Sequence, residues 1–340
     1  MVGIVSYGFY IPKYRIKTEE IAQVWGKNPD EIKKSLGISE KAVASIDEDS
    51  LTMGFESASM ALNGLNISKD EIKFVFFGSE THPYAVNPAS TIMAEFLGIG
   101  NNYLAYDTEF ACKAATGALI SGFGLIKSEY SNYGMITASD KGLAKTHDPL
   151  EYTAASGSVS LIVGKENIIL ELIDTQSFSS DTPDFWRREG IRYPSHGGRF
   201  TGKPSYYHHV HQATNLLLQK TKLSPEKFKY AIFHMPNGRF PVEVARGLGF
   251  NKTQIEDSLV VNNLGNSYTS SALMGLMSVL EKAEENDLIL LASYGSGAGS
   301  DAFVFKVTKN LKKKRKIFSK VAEHKQYINY PQYLKFIDVI

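Results

Sequence analysis

The sequence predicts an α/β protein made of two similar halves. Short apolar runs typical of strands alternate with helical segments along all 340 residues. A chain of this length exceeds the usual size of one hydrophobic core, so two domains or two related halves are expected. Polar residues also recur at equal spacing in the two halves, which indicates an internal duplication.

Nine apolar runs are predicted to be strands. The first begins near the N-terminus and ends at Pro12. The others are 74–78, 104–106, 134–138, 158–163, 230–233, 259–261, 288–292 and 302–307. The uncharged stretch 260–280 contains several Asn, Ser and Thr residues that lipid would not accommodate, so it is interpreted as a loop followed by a buried helix.

The duplication rests on matched spacings between the halves. Glu80 precedes Cys112 by 32 residues, and His234 precedes Asn266 by the same number. The segments 68–77 and 224–233 resemble each other: in each, a short capped turn leads into a buried strand. The distance from the strand to the following Glu80 or His234 differs by two residues, so the two halves do not align perfectly. We therefore predict halves at 1–165 and 166–340, with a basic and aromatic C-terminal extension from about residue 309.

Composition limits the classes of function. The chain is 43% hydrophobic and 21% charged with a formal net charge of +1, which gives no support to nucleic-acid or membrane binding. Cys112 is the only cysteine, so no internal disulfide can form and a reducing compartment is expected. The N-terminus lacks the features of an export signal, so the predicted location is cytoplasmic.

Cys112 lies where a strand is predicted to lead into an apolar helix. The free amides and the dipole of a helix's first turn favour a thiolate or an oxyanion in front of them, which makes Cys112 a candidate nucleophile. Small residues around it would admit a substrate carbonyl. The alternative is an inert buried cysteine, the more common case for a lone thiol.

Three further polar residues are predicted to meet Cys112 between the halves. Glu80 and His234 follow equivalent strands, and Asn266 and Cys112 precede equivalent helices, so all four can face one cavity. Burial would raise the pKa of Glu80 and make it a general base, while His234 could polarise a ketone or transfer a proton. Taken singly, Glu80 is more commonly an exposed loop residue and His234 a hydrogen-bonded core residue.

A glycine-rich turn spans residues 293–301 and includes Ser296. Its backbone amides could form an oxyanion hole, although a tight hairpin is an equally ordinary use of such glycines. A phosphate-binding loop is excluded because no Gly-Lys-Ser/Thr follows.

Together these motifs resemble the 3-hydroxy-3-methylglutaryl-CoA synthases in their short archaeal form. The resemblance rests on Gly-Ser-Glu-Thr around Glu80, Glu-Phe-Ala-Cys-Lys-Ala-Ala-Thr around Cys112, Phe-His-Met-Pro-Asn-Gly around His234, and the segments 265–271 and 293–297. It covers almost the whole chain. It implies a thiolase-like fold of two duplicated halves in five layers, αβαβα, and dimers or dimers of dimers.

The resemblance also implies a reaction. Cys112 would accept an acetyl group from acetyl-CoA, and Glu80 would remove a methyl proton. His234, helped by Asn266, would polarise acetoacetyl-CoA, and water would release 3-hydroxy-3-methylglutaryl-CoA, a mevalonate-pathway precursor of isoprenoids. No metal or redox cofactor is required. Relatives of this type work beside an acetoacetyl-CoA thiolase and a zinc-ribbon, OB-fold scaffold protein.

Residues that contact CoA are also implied by the resemblance. Arg239 would meet the CoA phosphates, and Thr153 and Thr201 would line the acyl and pantetheine channel. Arg199 and Lys203 are further basic candidates, and Ser296 belongs to the glycine-rich turn. The family often has a second basic residue four positions after Arg239, where this chain has Glu243.

Other polar groupings receive ordinary interpretations. The histidines at 208, 209 and 211 begin a predicted helix and lack a fourth ligand of suitable spacing, which argues against a zinc site. The basic run 309–316 is predicted to be solvated rather than to bind nucleic acid. The aromatic segment 327–333 is expected to dock on the body or on a partner.

Two other functions compete with this one. An initiating β-ketoacyl-acyl-carrier-protein synthase would share the fold and the cysteine, but it generates its carbanion by decarboxylation and needs no carboxylate base. A non-catalytic acyl-CoA-binding subunit would have a vestigial site. A carboxylate base at Glu80 argues against the ketosynthase, and the complete set of Glu80, Cys112 and His234 argues against the binding subunit.

Overall fold

A computed structural model describes residues 1–63 and 65–340 of the chain. Its strands are β1 Gly3–Tyr10, β2 Tyr14–Lys17, β3 Glu40–Val43, β4 Ile72–Gly78, β5 Leu104–Thr108, β6 Tyr133–Asp140, β7 Gly157–Gly164, β8 Leu170–Ser179, β9 Phe185–Trp186, β10 Ser195–His196, β11 Tyr230–Phe233, β12 Leu288–Ala292, β13 Gly299–Val307 and β14 Gln326–Tyr327.

The helices lie on both sides of these strands. They are α1 Thr18–Val24, α2 Pro29–Leu36, α3 Ser50–Leu62, α4 Ala89–Leu97, α5 Ala114–Lys127, α6 His208–Thr221, α7 Phe240–Gly247, α8 Lys252–Ile255, α9 Val261–Leu264, α10 Ser271–Leu280, α11 Leu311–Lys314, α12 Phe318–Glu323 and α13 Tyr330–Phe336.

Nine strands follow one another in the order β11-β12-β13-β8-β1-β7-β6-β4-β5. Only two residue pairs join β1 to β8, Gly3 with Glu171 and Ile4 with Leu170. This narrow junction divides the strands into a first group of five and a second group of four. Both groups have helices on both faces, which explains why their strands are apolar on both sides.

The two groups have the same topology. In the first, β4 runs parallel to β6, β6 antiparallel to β7, and β7 antiparallel to β1. In the second, β11 runs parallel to β12, β12 antiparallel to β13, and β13 antiparallel to β8. The predicted duplication of the fold is therefore present.

Alternate strand residues face different cores, which produces five layers. Phe74 and Phe76 of β4 share a central core with α5 and α10, whereas Val75 and Phe77 pack towards α3 and α4. On the second group, β13 likewise divides its side chains between the central core and an outer core formed with α6 and α7. The order of layers is α3/α4, sheet, α5/α10, sheet, α6/α7, as predicted.

One predicted strand is wrong. Residues 259–261 form a turn, with the Val260 amide donating to the Ser258 carbonyl at 2.8 Å, and they lead into α9. The Asn262 carbonyl accepts a hydrogen bond from the Ser39 amide, so this segment is directed to the neighbourhood of β3. The other predicted strands are confirmed, and β8 is present although no run was assigned to it.

The C-terminal extension packs on the body of the protein. β14 pairs with β2, and Tyr333 of α13 is buried, where its hydroxyl accepts a hydrogen bond from Lys41 at 3.1 Å. The basic run is only partly solvated, contrary to the prediction. The basic run passes over β1 and α3 of the first half. There Lys314 donates to the Val5 carbonyl at 3.0 Å and Lys316 to the Met60 carbonyl at 3.1 Å.

None of the helices in the described part of the chain combines the length and the apolar character needed to cross a bilayer.

Candidate active site

Cys112 and Glu80 lie in contact at the end of β4 and the start of α5. The Cys112 thiol donates a hydrogen bond to Glu80 Oε1 at 2.9 Å. The close approach depends on Gly78, where an added Cβ would lie only 2.5 Å from the Ala115 amide nitrogen. Ala111, just before the cysteine, has a φ of +42°, a strained conformation for a residue with a side chain.

Asp140 fixes the loop that carries Glu80. This buried carboxylate ends β6 and accepts hydrogen bonds from the Ser79 hydroxyl at 2.7 Å and the Glu80 amide at 2.9 Å. Its other oxygen accepts the Thr269 amide of the second half at 2.9 Å. Asp140 therefore holds the Glu80 loop against the segment that carries Asn266.

His234 and Asn266 reach the same region from the second half. His234 follows β11, and its carbonyl accepts a hydrogen bond from the buried Tyr206 hydroxyl at 2.6 Å. The Asn266 amide donates to the Thr153 carbonyl at 2.7 Å, and its side-chain oxygen accepts the Tyr268 amide at 3.0 Å. Both side chains are thereby held at the cavity described next.

A cavity of about 240 Å³, the front cavity, brings the two halves' residues together. Six of the ten predicted site residues line it: Cys112, Thr153, Thr201, His234, Asn266 and Ser296. Much of the remaining wall is apolar and includes Leu36, Leu150 and Phe240. Glu80 does not line this cavity, although its carboxylate contacts the Cys112 thiol.

The electrostatics of Cys112 differ from the sequence prediction. Burial raises the pKa of the Cys112 thiol well above its ordinary value, and the Glu80, Asp140 and Asp184 carboxylates raise it further. The start of α5 therefore does not produce a resident thiolate. In the resting protein the sulfur keeps its proton and donates it in a hydrogen bond to Glu80.

Burial, together with the nearby Asp140 carboxylate, raises the pKa of Glu80 to about 8, as expected for a general base. Burial lowers the pKa of His234 to about 3, so its ring is neutral at pH 7. His234 Nδ1 has no hydrogen-bond partner among the described residues. A neutral imidazole can polarise a carbonyl by donating a hydrogen bond, so the lowered pKa favours the first of the two predicted roles over proton donation near neutral pH.

The amides available for an oxyanion are fewer than the sequence indicated. The Gly295 amide is bonded to the Gly299 carbonyl at 2.8 Å, and the Gly297 amide to Asp184 Oδ1 at 2.9 Å. Within residues 1–63 and 65–340, the amides of Cys112 and Ser296 have no such acceptor. These two amides are the candidates for an oxyanion hole.

The basic residues predicted for CoA do not line the front cavity. Arg199 and Lys203 are exposed near Thr201, which does line it. Arg239 is mostly exposed, and its guanidinium pairs with the Glu243 carboxylate at 3.3 Å. Glu243 is the residue that stands where the family often has a second basic residue, so this difference gives Arg239 an acidic partner.

The histidine group is dispersed. His209 is buried and bonded to Ser180 and Ser205, His208 is exposed, and His211 packs beside Gly247. In the described ranges no three His, Cys, Asp or Glu residues are grouped as metal ligands.

Several site residues were missed by the sequence analysis. Asp184 is buried and accepts hydrogen bonds from the Tyr294 hydroxyl and the Gly297 amide, and both Asp184 and Tyr294 line the front cavity. Arg187 donates to the Glu80 carbonyl at 2.7 Å from the turn that follows β9. These residues are distant in sequence from Glu80 and Cys112, so no local sequence pattern predicts that they belong to the site.

Comparison with known proteins identifies the family. A hydroxymethylglutaryl-CoA synthase from Archaeoglobus fulgidus is 49% identical over 338 residues, covering 98% of each chain. Another from Methanocaldococcus jannaschii is 48% identical over 99% of this chain and 98% of its own. The chain belongs to the hydroxymethylglutaryl-CoA synthase family. The predicted family, and with it an acyltransferase enzyme, is confirmed.

The fold comparison agrees with this assignment. A solved structure of MvaS in complex with 3-hydroxy-3-methylglutaryl coenzyme A superposes with a TM-score of 0.91 at 20% identity, over 99% of this chain and 91% of that chain. Residues 218–307 also match the family model of the 3-oxoacyl-[acyl-carrier-protein] synthase III C-terminal region. The thiolase-like fold is therefore confirmed, and the second match reflects the fold that the two enzyme families share.

Proposed function

We propose that this chain condenses acetyl-CoA with acetoacetyl-CoA and water to give (3S)-3-hydroxy-3-methylglutaryl-CoA and CoA, in the mevalonate pathway. The observation that carries the proposal is the contact of 2.9 Å between the Cys112 thiol and the Glu80 carboxylate, beside a cavity that His234 and Asn266 also line. A nucleophile, a base and carbonyl-polarising groups are the components that this condensation needs.

Acetyl transfer comes first. Glu80 accepts the Cys112 proton as the sulfur attacks the carbonyl of acetyl-CoA, and CoA leaves as its thiol with that proton. The C–S bond to CoA breaks and the C–S bond to Cys112 forms, so no oxidant or metal is needed. The resting thiol is protonated and Glu80 is its nearest proton acceptor, so the carboxylate takes the proton in the wild type; solvent takes it when the carboxylate is absent.

Enolate formation follows on the acetylated cysteine. Glu80 removes a proton from the acetyl methyl group, and its raised pKa makes it a stronger base than an ordinary carboxylate. The negative charge moves to the thioester oxygen. We assign the Cys112 and Ser296 amides, which lack other acceptors among the described residues, to stabilise this oxygen.

Carbon–carbon bond formation uses the second half of the chain. The enolate carbon attacks the C3 ketone of acetoacetyl-CoA, while His234 and Asn266 hydrogen-bond the ketone oxygen as it becomes an alkoxide. The proton that Glu80 took from the methyl group passes to that oxygen, directly or through water, which gives the 3-hydroxyl group and restores the Glu80 carboxylate. Water then cleaves the bond between Cys112 and the new acyl group and leaves a carboxylate.

We assign the CoA arm to the front cavity. Its mostly apolar wall, with Thr153 and Thr201, suits a pantetheine chain. Arg199, Lys203 and Arg239 are proposed to meet the phosphates outside it. Release of Arg239 from Glu243 would accompany binding, since the two side chains are paired in the unbound chain.

We also propose a homodimer, with dimers of dimers as a further assembly. β5 is the last strand of the nine and has only β4 beside it in the described part of the chain. Leu104 on this edge, Phe110 beyond it and Phe96 of the adjoining α4 are exposed apolar residues. An unpaired edge with such a patch is typical of an interface.

The remaining assignments are proposals of the same kind. The two halves are assigned to 1–165 and 166–340, a division that the narrow β1–β8 junction supports. A complex with acetoacetyl-CoA thiolase and a zinc-ribbon, OB-fold scaffold, and a cytoplasmic location, follow from the resemblance and from the single cysteine.

The test is acetyl transfer followed by discharge. Incubation with acetyl-CoA is expected to add an acetyl mass to the peptide that contains Cys112, and acetoacetyl-CoA is expected to discharge it as a six-carbon acyl-CoA. Cys112→Ser should acquire no acetyl group. An unchanged mass in the wild type would favour a binding subunit, and turnover only with a malonyl carrier protein would favour a ketosynthase.

A further inference from the structure

A second cavity of about 140 Å³ is lined by Glu80, which does not line the front cavity, and shares only Tyr268 with that cavity. This rear cavity is lined by Glu80, Thr81, His82, Leu143, Arg187, Arg192, Pro194 and Tyr268. The Arg192 side chain is 41% exposed, so the cavity reaches the surface. Its volume exceeds the roughly 30 Å³ share of one liquid water molecule several times.

The two cavities differ in chemistry. Five of the rear-cavity residues carry charged or hydrogen-bonding side chains around the Glu80 carboxylate, whereas aliphatic, proline and aromatic residues form much of the front wall. Water occupies polar, roomy sites and avoids apolar ones. On the proposed function, moreover, the acyl-CoA arm fills the front cavity during the step that consumes water.

A third cavity of about 400 Å³ also touches Glu80, but its outer wall includes Glu109 and Phe110. Phe110 belongs to the exposed patch assigned above to the dimer. That route would be covered by a second copy. The rear cavity opens instead near Arg192, which donates to the Asp338 carbonyl of the C-terminal segment at 2.7 Å.

We propose that the rear cavity supplies the water that cleaves the Cys112 thioester, so that substrate and water reach the sulfur through different cavities. The inference rests on the proposed function and deepens it. Glu80 connects the two cavities: it contacts the Cys112 sulfur, which lines the front cavity, and it lines the rear cavity itself. It is therefore placed to take a proton from a water molecule in the rear cavity.

The chemical step is balanced with water alone. Water oxygen forms a bond to the thioester carbonyl carbon, one water proton passes to Glu80, and the C–S bond breaks. Glu80 then returns that proton to the Cys112 sulfur. The products are the free thiol and a carboxylic acid, which ionises. For the acetyl-enzyme alone the product is acetate, which gives a simple assay without the second substrate.

Leu143 is the residue to change, because its half-buried side chain lines the rear cavity without contributing a charge. Leu143→Trp narrows the cavity and Leu143→Ala widens it. Leu216 is a matched control, since it is an exposed leucine on α6 that lines none of the three cavities. The assay loads the full-length protein with acetyl-CoA, removes the excess and follows loss of the acetyl mass with time.

We expect Leu143→Trp to acquire the acetyl group at the wild-type rate and to lose it about tenfold more slowly, because an ill-positioned reactant costs at least this factor. Leu143→Ala should lose it faster, and Leu216→Trp should match the wild type. The same loss rate in all four proteins, or equal slowing of loading and loss in Leu143→Trp, overturns the inference. If Leu143→Trp does not fold, unchanged loss from Leu143→Ala overturns it. A wild-type protein that is never acetylated instead refutes the proposed function itself.

Discussion

Replacing Glu80 separates the acetyl-transfer step from the condensation step. General-base catalysis contributes about 10²- to 10⁴-fold to a rate, which is about 3 to 5 kcal/mol of barrier. Glu80→Ala should therefore lose condensation by this factor. Acetylation should persist, because removal of the carboxylate also removes a negative charge that lies 2.9 Å from the sulfur and raises the pKa of Cys112.

The pH dependence of acetylation should show the lowered pKa of Cys112 in Glu80→Ala. Nucleophilic attack needs the deprotonated sulfur, and a less strongly raised pKa of Cys112 supplies it at lower pH. The acetylation profile of Glu80→Ala should therefore move towards lower pH than that of the wild type. Burial remains in the variant, so the thiol still titrates above its ordinary pKa.

Two measurements on the same samples provide the assay. Intact mass records acetylation as a function of pH, and release of CoA after addition of acetoacetyl-CoA records condensation. Glu80→Gln controls for the space that alanine leaves, because its amide has nearly the same shape. Loss of acetylation in Glu80→Ala as complete as in Cys112→Ser, or a profile displaced to higher pH, would refute the reasoning.

Three other variants test other parts of the molecule. His234→Ala should slow condensation by about 10²-fold, the usual effect of removing one oxyanion donor, with acetylation preserved; normal turnover would remove His234 from the mechanism. Lys113→Met leaves the buried Asp301 without its partner at 3.0 Å, so unfolding by denaturant should show a loss of about 3 to 5 kcal/mol. Lys165→Met removes the exposed pair of Lys165 with Glu129 at 3.5 Å and should cost less than about 1 kcal/mol; equal losses in the two variants would contradict the role of burial. Leu104→Glu should convert the proposed dimer to monomer in sedimentation, and an unchanged mass would exclude the β5 edge as the interface.

Much of the fold could be predicted because local patterns carry it. The strand at 74–78 is apolar on both faces since both faces are covered, and the small residues after Cys112 indicated a helix packed close to its neighbours. The segment 259–261 misled the prediction. Its three apolar residues resemble a strand, but its backbone bonds within a turn, and α9 begins at Val261.

The chemistry of the site was harder to predict. Equal spacing in the two halves indicated that Glu80, Cys112, His234 and Asn266 are related, and all but Glu80 line one cavity. The protonation of Cys112 could not be predicted, because it depends on carboxylates distant in sequence. One of these, Asp184, lies 72 residues beyond the cysteine.

The hydrogen bond between Cys112 and Glu80 makes the strength of the base depend on the progress of the reaction. In the resting protein the thiol donates to Glu80 and thereby lowers the carboxylate's pKa. Acetylation replaces that S–H group with an acyl group and removes the donor. Glu80 consequently becomes more basic when the methyl proton has to be removed, and the release of product restores the milder carboxylate. The change in the pKa of Glu80 needs no conformational change, because acylation of Cys112 itself removes the hydrogen-bond donor.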